Sequence, residues 1–534
     1  MTNVLKPPCD VGVLRASPAD VPEKAQERRL WVLLATILGS SMAFIDGTVV
    51  NVALPVLQED LHATVADVQW VVEAYALFLA ALILVGGSLG DRFGRKRLFA
   101  IGIALFTLAS LGCGLSPTIS VLIFARAVQG IGAALLTPGS LALISASFSG
   151  AERGRAIGTW SGFTSITSAL GPVLGGWLVQ YGSWRLIFFL NGPLAIVVLS
   201  ILIWRVPESR AQQTNHHLDW PGAVLATLGL GALVYGLITS STVGLGSPEV
   251  LLPLGVGILA LGAFLIVEAR SLAPMLPLPL FRSRTFSGVN LLTLLLYAAT
   301  GATTFFVPFN LIRAQGYSAT AAGAAFLPFI LLMFLLSRWS GGLVGRFGAK
   351  LPLVVGPLIA ALGFLLFAVP GIGGSYWTTF FPAMIVLGLG MSIAVAPLTT
   401  TVMSAAGPDY AGIASGVNNA VARTASLLAV AILGIIILAV FNGALDSQLV
   451  LLHVPSATRH LLDGERVKLA GAQVPAGVSA SLRVALQQAI TDSFLMGFRI
   501  VMLICAGLAG ASAVAAGILV SGKTPGAKDQ QMAN

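Results

Sequence analysis

The stretch Gly87-Ser-Leu-Gly-Asp-Arg-Phe-Gly-Arg-Lys-Arg-Leu98 decides how the rest of the chain is interpreted. It is a short, strongly charged segment between two long apolar runs, and this pattern predicts a tight loop between two membrane helices. A weaker copy returns at Gly341 to Lys350, with Gly345 in place of the acidic Asp91. The repeat indicates that the chain is internally duplicated.

The composition assigns the chain to the membrane. Hydrophobic residues make up 56% of the sequence, charged residues only 10%, and the mean hydropathy is +0.90. In soluble globular proteins about a quarter of the residues are charged. The three cysteines are far apart, which predicts neither a disulfide framework nor a metal site. We expect no cofactor.

Apolar runs of roughly 20 residues predict fourteen transmembrane helices, and the fold class is therefore an all-α polytopic membrane protein. Six predicted spans lie in an N-terminal bundle and six in a C-terminal bundle, and two additional central helices lie between them. The predicted division is a tail at 1–29, a bundle at 30–204, a linker with two helices at 205–285, a bundle at 286–520 with a long outer loop at 442–492, and a tail at 521–534.

The distribution of basic residues predicts the orientation. With both termini cytoplasmic, 21 of the 30 Lys and Arg residues fall on the cytoplasmic side and 6 on the outer side. Cytoplasmic loops carry such an excess, and the net charge of +9 then reflects topology and contact with anionic membrane lipids. A nucleic-acid partner is not required. The sequence has no Asn-x-Ser/Thr site, which favours a bacterial inner membrane.

Three predicted spans carry ionisable side chains in the same outer half of the membrane. Asp46, Glu73 and Arg126 are expected roughly 14, 8 and 10 Å deep, at the helical rise of about 1.5 Å per residue. A charge in the hydrocarbon core costs at least ~2.5 kcal/mol and is by default a functional candidate. Pairing of opposite charges would make these residues tolerable. A purely structural ion pair is the alternative interpretation of Asp46 and Arg126.

The motifs together resemble the major facilitator superfamily, and in particular its fourteen-helix drug/proton antiporters. The stretch at Gly87 to Leu98 is similar to the signature loop between the second and third helices of that superfamily. Phe44 to Pro55 is similar to the first-helix motif, whose aspartate is implicated in proton coupling. Arg126 to Gly132 is similar to the fourth-helix motif, whose arginine is associated with proton transfer, and Gly171 to Trp177 is similar to the antiporter signature.

The resemblance implies four groups of site residues. Asp46, Glu73 and Arg126 would couple transport to protons, although the family pattern does not clearly require an acid at Glu73. A charge cluster that closes the inner side, which we call the latch, would comprise Gly87, Asp91, Arg92, Gly94, Arg95 and Lys96. The antiporter motif would comprise Gly171, Pro172, Gly175 and Gly176. The substrate cavity would include Phe44, Gln129, Tyr297, Thr300, Thr304, Phe305, Asn418 and Arg423.

The implied function is proton-coupled export of amphipathic compounds, monocationic or neutral, by alternating access. The expected partners are the small-molecule substrate, protons and lipids, and a periplasmic adaptor cannot be read from the sequence. Two other classes stay open: a lipid or metabolite exporter on the same scaffold, and a non-transporting membrane sensor or enzyme. An enzyme is not expected, because the predicted aqueous loops contain no convergent set of nucleophile and base.

Overall fold

The computed structural model describes residues 23–148, 150–209, 219–244, 246–271, 274–406, 411–475 and 477–521. Within these ranges the chain is helical and has no β-strand. Most of the predicted tails and residues 210–218 of the predicted linker lie outside the described residues. The side chain of Asp91, a member of the predicted latch, also lies outside the description.

The segment before the predicted linker forms the helices α1 Glu23–Asp60, α2 Val65–Phe93, α3 Arg95–Gly114, α4 Ile119–Ser147, α5 Gly150–Tyr181, α6 Leu186–Phe189 and α7 Asn191–Arg205. Two further helices follow, α8 Trp220–Val243 and α9 Pro248–Arg270. The rest of the chain forms a 3-10 turn at Leu278–Arg282, α10 Arg284–Phe309, a π-helical turn at Asn310–Ala314, α11 Ala319–Ala324, α12 Leu327–Gly341, α13 Leu343–Phe347, α14 Lys350–Phe367, α15 Tyr376–Ala406, α16 Ala411–Leu451, α17 Ser456–Asp463, a 3-10 turn at Arg466–Gly471, and α18 Ala480–Leu519.

Thirteen helical segments of the described chain are long and apolar enough to cross a membrane. The sequence predicts fourteen spans, and the one outside this set corresponds to α5. That helix has 32 residues, is rich in Gly, Ser and Thr, and packs against α1 and α11. The all-helical membrane fold is therefore confirmed.

Local signals determine where α2 begins and ends. Thr64 and Asp67 form a capping box at the start of α2, in which each side chain accepts a hydrogen bond from the other residue's backbone N–H. Gly94 ends α2 with a φ of 112°, a conformation that favours glycine. The next helix begins at Arg95. The charged stretch is therefore mostly helical, with a single residue as the connection.

The helices pack into two groups that contact each other. In the first group α2 and α3 pack against α4, and α1 packs against α5. In the second, α10 packs against α16 and α18, and α14 packs against α15 and α18. The central helix α8 contacts its neighbour α9, α2 of the first group and α16 of the second. We name the two ends of the molecule after residues: α1 ends at the Glu59 end, and α2 ends at the Arg92 end.

The loop predicted at 442–492 is shorter in the structure. Helix α16 continues to Leu451, and α18 begins at Ala480, thirteen residues before the predicted start of the last span at Ser493. The segment between these helices contains α17 and a 3-10 turn. Hydropathy marks only the membrane-buried part of a helix, and the polar ends of α16 and α18 extend beyond it.

Candidate functional site

Asp46 of α1 and Arg126 of α4 form a buried ion pair. Arg126 Nη1 donates to Asp46 Oδ2 over 2.6 Å, and each residue is 1% exposed. Gln129, one turn along α4, donates from Nε2 to Asp46 Oδ1 over 2.8 Å and accepts from Arg126 Nη1 over 2.7 Å. The three side chains close a ring in which each bonds to the other two. We call this ring the Asp46 triad.

Groups of α2 complete the environment of the arginine. Arg126 Nε donates to the Val71 carbonyl oxygen over 2.9 Å, and the guanidinium lies 4.3 Å from the centre of the Tyr75 ring. Such cation–π contacts gain strength when they are desolvated. Removal of one partner from a buried pair costs about 3–5 kcal/mol, because the other charge stays buried.

Glu73 does not join this ring. It is 1% exposed, and neither carboxylate oxygen has a hydrogen-bond partner. Its neighbours at helical spacing, Trp70 and Leu77, pack in a cluster with residues of α8 and α16. The sequence analysis expected three ionisable groups to come together, and the structure brings together Asp46 and Arg126 only.

The antiporter motif packs α5 on two different helices. A Cβ atom built on Gly171 would overlap the Thr48 hydroxyl of α1, and one on Gly175 would lie 2.9 Å from the Val49 carbonyl oxygen. Gly176 faces the other way, where a Cβ atom would lie 2.7 Å from the carbonyl carbon of Ala319 in α11. Only residues without a side chain allow these approaches.

Pro172 completes the contact between α5 and α11. Its carbonyl group lies against Gly323 of α11, where a Cβ atom would be 2.6 Å from the Pro172 carbonyl carbon. The two helix groups therefore meet backbone to backbone, with a glycine on each side of the contact.

Polar contacts also join the two groups at the Glu59 end. Arg313, after α10, pairs with Glu59 over 2.9 Å and bonds to the Pro55 carbonyl oxygen of α1. Gln69 of α2 donates to the Val430 carbonyl oxygen of α16 over 3.1 Å. Together with the contact between α5 and α11, these bonds close the molecule at this end.

At the Arg92 end, the predicted latch is attached to the chain that follows α7. The backbone N–H groups of Lys96 and Arg97 donate to the Glu208 carboxylate over 3.0 and 3.1 Å, and the Arg95 N–H donates to the Ser209 carbonyl oxygen. Glu208 thus satisfies free N–H groups at the start of α3, where a negative charge is favourable. A Cβ atom on Gly94 would lie 2.8 Å from the Glu208 carboxyl carbon.

The contacts described for the other predicted latch residues lie within the first helix group. Arg92 is exposed and lies over the Phe93 ring, and the Arg95 guanidinium bonds to the Ala142 carbonyl oxygen of α4 over 3.5 Å. Gly87 approaches the Pro138 side chain of α4. The function of these residues as a latch stays a prediction.

The residues predicted to line a cavity are distributed between protein core and partly open positions. Gln129 is fully buried in the Asp46 triad, and Phe305 is buried in contact with the rings of Phe306 and Phe309. Asn418 bonds to the side chains of Asn290 and Thr293 inside the second helix group. These three residues face the protein interior in this state.

The remaining predicted cavity residues are partly buried. Thr300 and Thr304 bond to carbonyl groups of their own helix, and Phe44 packs edge-on against Trp160. Arg423 is half-buried and lies close enough to the Tyr75 and Tyr297 hydroxyl groups to interact electrostatically. Tyr75 therefore interacts electrostatically with both Arg126 of the first helix group and Arg423 of the second.

Sequence reasoning missed three contributors to these sites. No sequence pattern pointed to Glu208, because its partners are backbone groups more than a hundred positions away in the chain. Arg313 was not among the predicted site residues. Tyr75 was not singled out, although its position one turn from Val71 on α2 follows from helical periodicity.

The model of the Major Facilitator Superfamily matches residues 36–430. The multidrug resistance protein Stp of Mycobacterium tuberculosis is 34% identical over 448 residues, which cover 81% of this chain and 80% of that protein. The tetracenomycin C resistance and export protein of Streptomyces glaucescens is 32% identical over 93% of both chains. The methylenomycin A resistance protein of Bacillus subtilis is 35% identical over 78% of this chain and 89% of that protein.

Solved structures agree on the fold. A bacterial homolog of the human lysosomal transporter Spinster, crystallised in an inward-facing and unoccupied conformation, aligns with a TM-score of 0.67 at 17% identity. The alignment covers 94% of this chain and 99% of that one. With the family match, the relatives and the helical membrane fold in agreement, this chain belongs to the major facilitator superfamily of membrane transporters.

Proposed function

We propose that this protein is a proton-coupled secondary transporter that exports amphipathic, monocationic or neutral organic compounds across a bacterial inner membrane. The observation that carries the proposal is the Asp46 triad, a desolvated ion pair that a proton would break. The resistance and export functions in the names of the relatives support the direction of transport.

The charge distribution supports the orientation. The Arg92 end carries the excess of Lys and Arg, so we place it in the cytoplasm and the Glu59 end outside. The structure is then closed on the outer side. Alternating access follows when the contacts at the outer end break and the two helix groups rock about the centre.

The energetics are sufficient for antiport. Entry of one proton down a potential of 100 mV is worth ~2.3 kcal/mol. For a neutral substrate this free energy sustains a gradient of roughly fifty-fold. We propose that a proton on Asp46 and bound substrate exclude each other, because the first releases Arg126 from its countercharge and changes the charge next to Tyr75.

The residue pattern supports the substrate class. The predicted spans between Phe286 and Phe441 contain no Asp or Glu, which disfavours a dication. The same region supplies aromatic rings and threonine hydroxyl groups, as at Tyr297 and Thr300. Apolar walls with a few polar groups suit amphipathic molecules.

The test is efflux of a lipophilic monocationic dye from proteoliposomes under an imposed pH gradient. We expect the native protein to move dye only with the gradient, and Asp46→Asn to bind dye without moving it uphill. Glu268→Gln is the matched control: this buried carboxylate accepts a hydrogen bond from the Leu276 N–H and lies outside the triad. Normal uphill transport by Asp46→Asn would contradict the coupling role. Transport of labelled lipid in place of any dye would favour a lipid exporter.

A further inference from the structure

Glu73 is a buried acid that the proposed coupling site does not use. It lies about two turns into α2, is 1% exposed, and has no hydrogen-bond partner for either oxygen. A charged carboxylate without a partner in an apolar environment is so costly that the group takes up a proton instead. We therefore expect Glu73 to be protonated, and so neutral, in this state.

The walls around Glu73 come from three helices. On α2 its neighbours at helical spacing are Trp70 and Leu77, which cluster with Leu230, Val234 and Ile238 of α8 and with Leu427 and Ala431 of α16. All of these except Trp70 are aliphatic, and the Trp70 ring lies against the Tyr235 ring of α8. The central helix α8 and the second helix group thus form an apolar cover over one acid of the first group.

No charged side chain that the structure describes is paired with Glu73 in this state. Helix α8 contains no Asp, Glu, Lys, Arg or His between Trp220 and Val243. Arg126 of α4 is engaged by the Asp46 triad, and Arg423 of α16 faces Tyr75 and Tyr297. We therefore expect Glu73 itself to carry the proton that makes it neutral.

The cover belongs to the contact that closes the outer side. Gln69, one turn before Glu73 on α2, donates to the Val430 carbonyl oxygen next to Ala431. When the two helix groups separate at the Glu59 end, α16 withdraws from α2 and one wall of the Glu73 site is lost. Water from the outer side then reaches the carboxyl group.

We propose that Glu73 is a second proton-binding residue, and that it must take up a proton from the outer side before the two helix groups can close over it. Its charged form holds the outer side open, and its neutral form permits closure. This proposal rests on the alternating-access function above, and it gives α8 a role as part of the cover. Closure would therefore depend on protonation of Glu73 even in a variant in which Asp46 is replaced by a neutral residue.

The experiment measures the distance across the outer side by double electron–electron resonance. Spin labels at His62→Cys and Ser375→Cys report on exposed positions of the two helix groups, in a chain whose native cysteines are replaced by alanine. Asp46→Asn is included so that the triad contributes no titration. We expect the closed population to fall as the pH rises from 5 to 9. Adding Glu73→Gln should keep the population closed and independent of pH.

Controls separate this role from a structural one. Glu268→Gln, in place of Glu73→Gln, should retain the pH dependence. If Glu73→Gln does not fold, Glu73→Leu, which matches the aliphatic cover, should give the same closed population. A pH dependence that survives in the Glu73 variants, or that is already absent in Asp46→Asn alone, would overturn the proposal. Dye efflux is not used here, so a failure of the transport function is recognised separately.

Discussion

The contact between Gly323 and Pro172 allows a direct test of which state the structure represents. A Cβ atom at Gly323 would overlap the Pro172 carbonyl group, and that contact exists only while α5 and α11 meet at the Glu59 end. We therefore expect Gly323→Ala to penalise the closed state and to leave the outward-open state unaffected. Insertion of one methyl group into a close-packed contact costs typically about 1–3 kcal/mol.

This penalty translates into a population change. A bias of about 1–3 kcal/mol corresponds to roughly 5-fold to 150-fold in the equilibrium between two states. Labels at His62 and Ser375 should show a longer distance across the outer side in Gly323→Ala. Gly176→Ala, on the opposite helix, should act in the same direction, because its Cβ atom would meet the Ala319 carbonyl group.

The control is Gly510→Ala, a helix-interior glycine of α18 with no atom within 4 Å of a Cβ position. It adds the same methyl group without a clash and should leave the distance unchanged. An unchanged distance in Gly323→Ala would refute the interpretation of the α5 and α11 contact as a closed gate. An equal change in Gly510→Ala would show that the effect is not specific to the contact.

Three further outcomes follow from the polar contacts. Gln129→Ala leaves Asp46 with one hydrogen bond fewer in the buried triad. Thermal inactivation in detergent should then indicate that the free energy of unfolding falls by about 1–3 kcal/mol. The same change at Gln473, which is exposed, should have little effect. Glu208→Ala removes the acceptor at the start of α3 and should cost about 1 kcal/mol locally, visible as faster amide exchange there. Between α16 and α18, burial of Glu465 raises its pKa, but the hydrogen bond from Lys468, the hydrogen bond from the Gln473 N–H and the charge of Lys468 together outweigh this effect, and the pKa is lowered overall. A lowered pKa means that ionised Glu465 stabilises the loop when the pH is above the ordinary pKa of glutamate. This contribution is lost as the pH falls through the pKa of Glu465 in the folded protein. Limited proteolysis of the loop should therefore increase only in acid, below about pH 4.

The features that could be predicted from the sequence are those with a high free-energy cost in the membrane, namely buried charges and unpaired backbone groups. Asp46 and Arg126 were expected to pair because each is too expensive to bury alone, and the structure places them 2.6 Å apart. The helical fold was predictable for the same reason, since apolar runs have few alternatives to a helix in a bilayer. The glycines of the antiporter motif were recognised by resemblance, but their division between α1 and α11 depends on how α5 is rotated.

Other features depend on tertiary packing that a single sequence does not reveal. Glu73 was grouped with Asp46 because both were expected in the outer half of the membrane. The position of a residue along its own helix gives only its depth in the membrane. What Glu73 faces depends on how α8 and α16 pack against α2. Glu208 binds backbone N–H groups, which leave no trace in the residue pattern of the partner segment.

The packing of α5 links the gate to the coupling site. Gly171 lies against Thr48, two positions from Asp46 on α1, and Gly176 lies against Ala319 of the second helix group. The contact of α5 with α1 is more extensive than its contact with α11, so we expect α1 and α5 to move together. Separation of α5 from α11 therefore carries α1, and with it Asp46, away from the second helix group. In the proposed mechanism, a proton that alters the triad and a substrate that separates the helix groups would then act on one pair of helices, which is the physical requirement for coupling the two events.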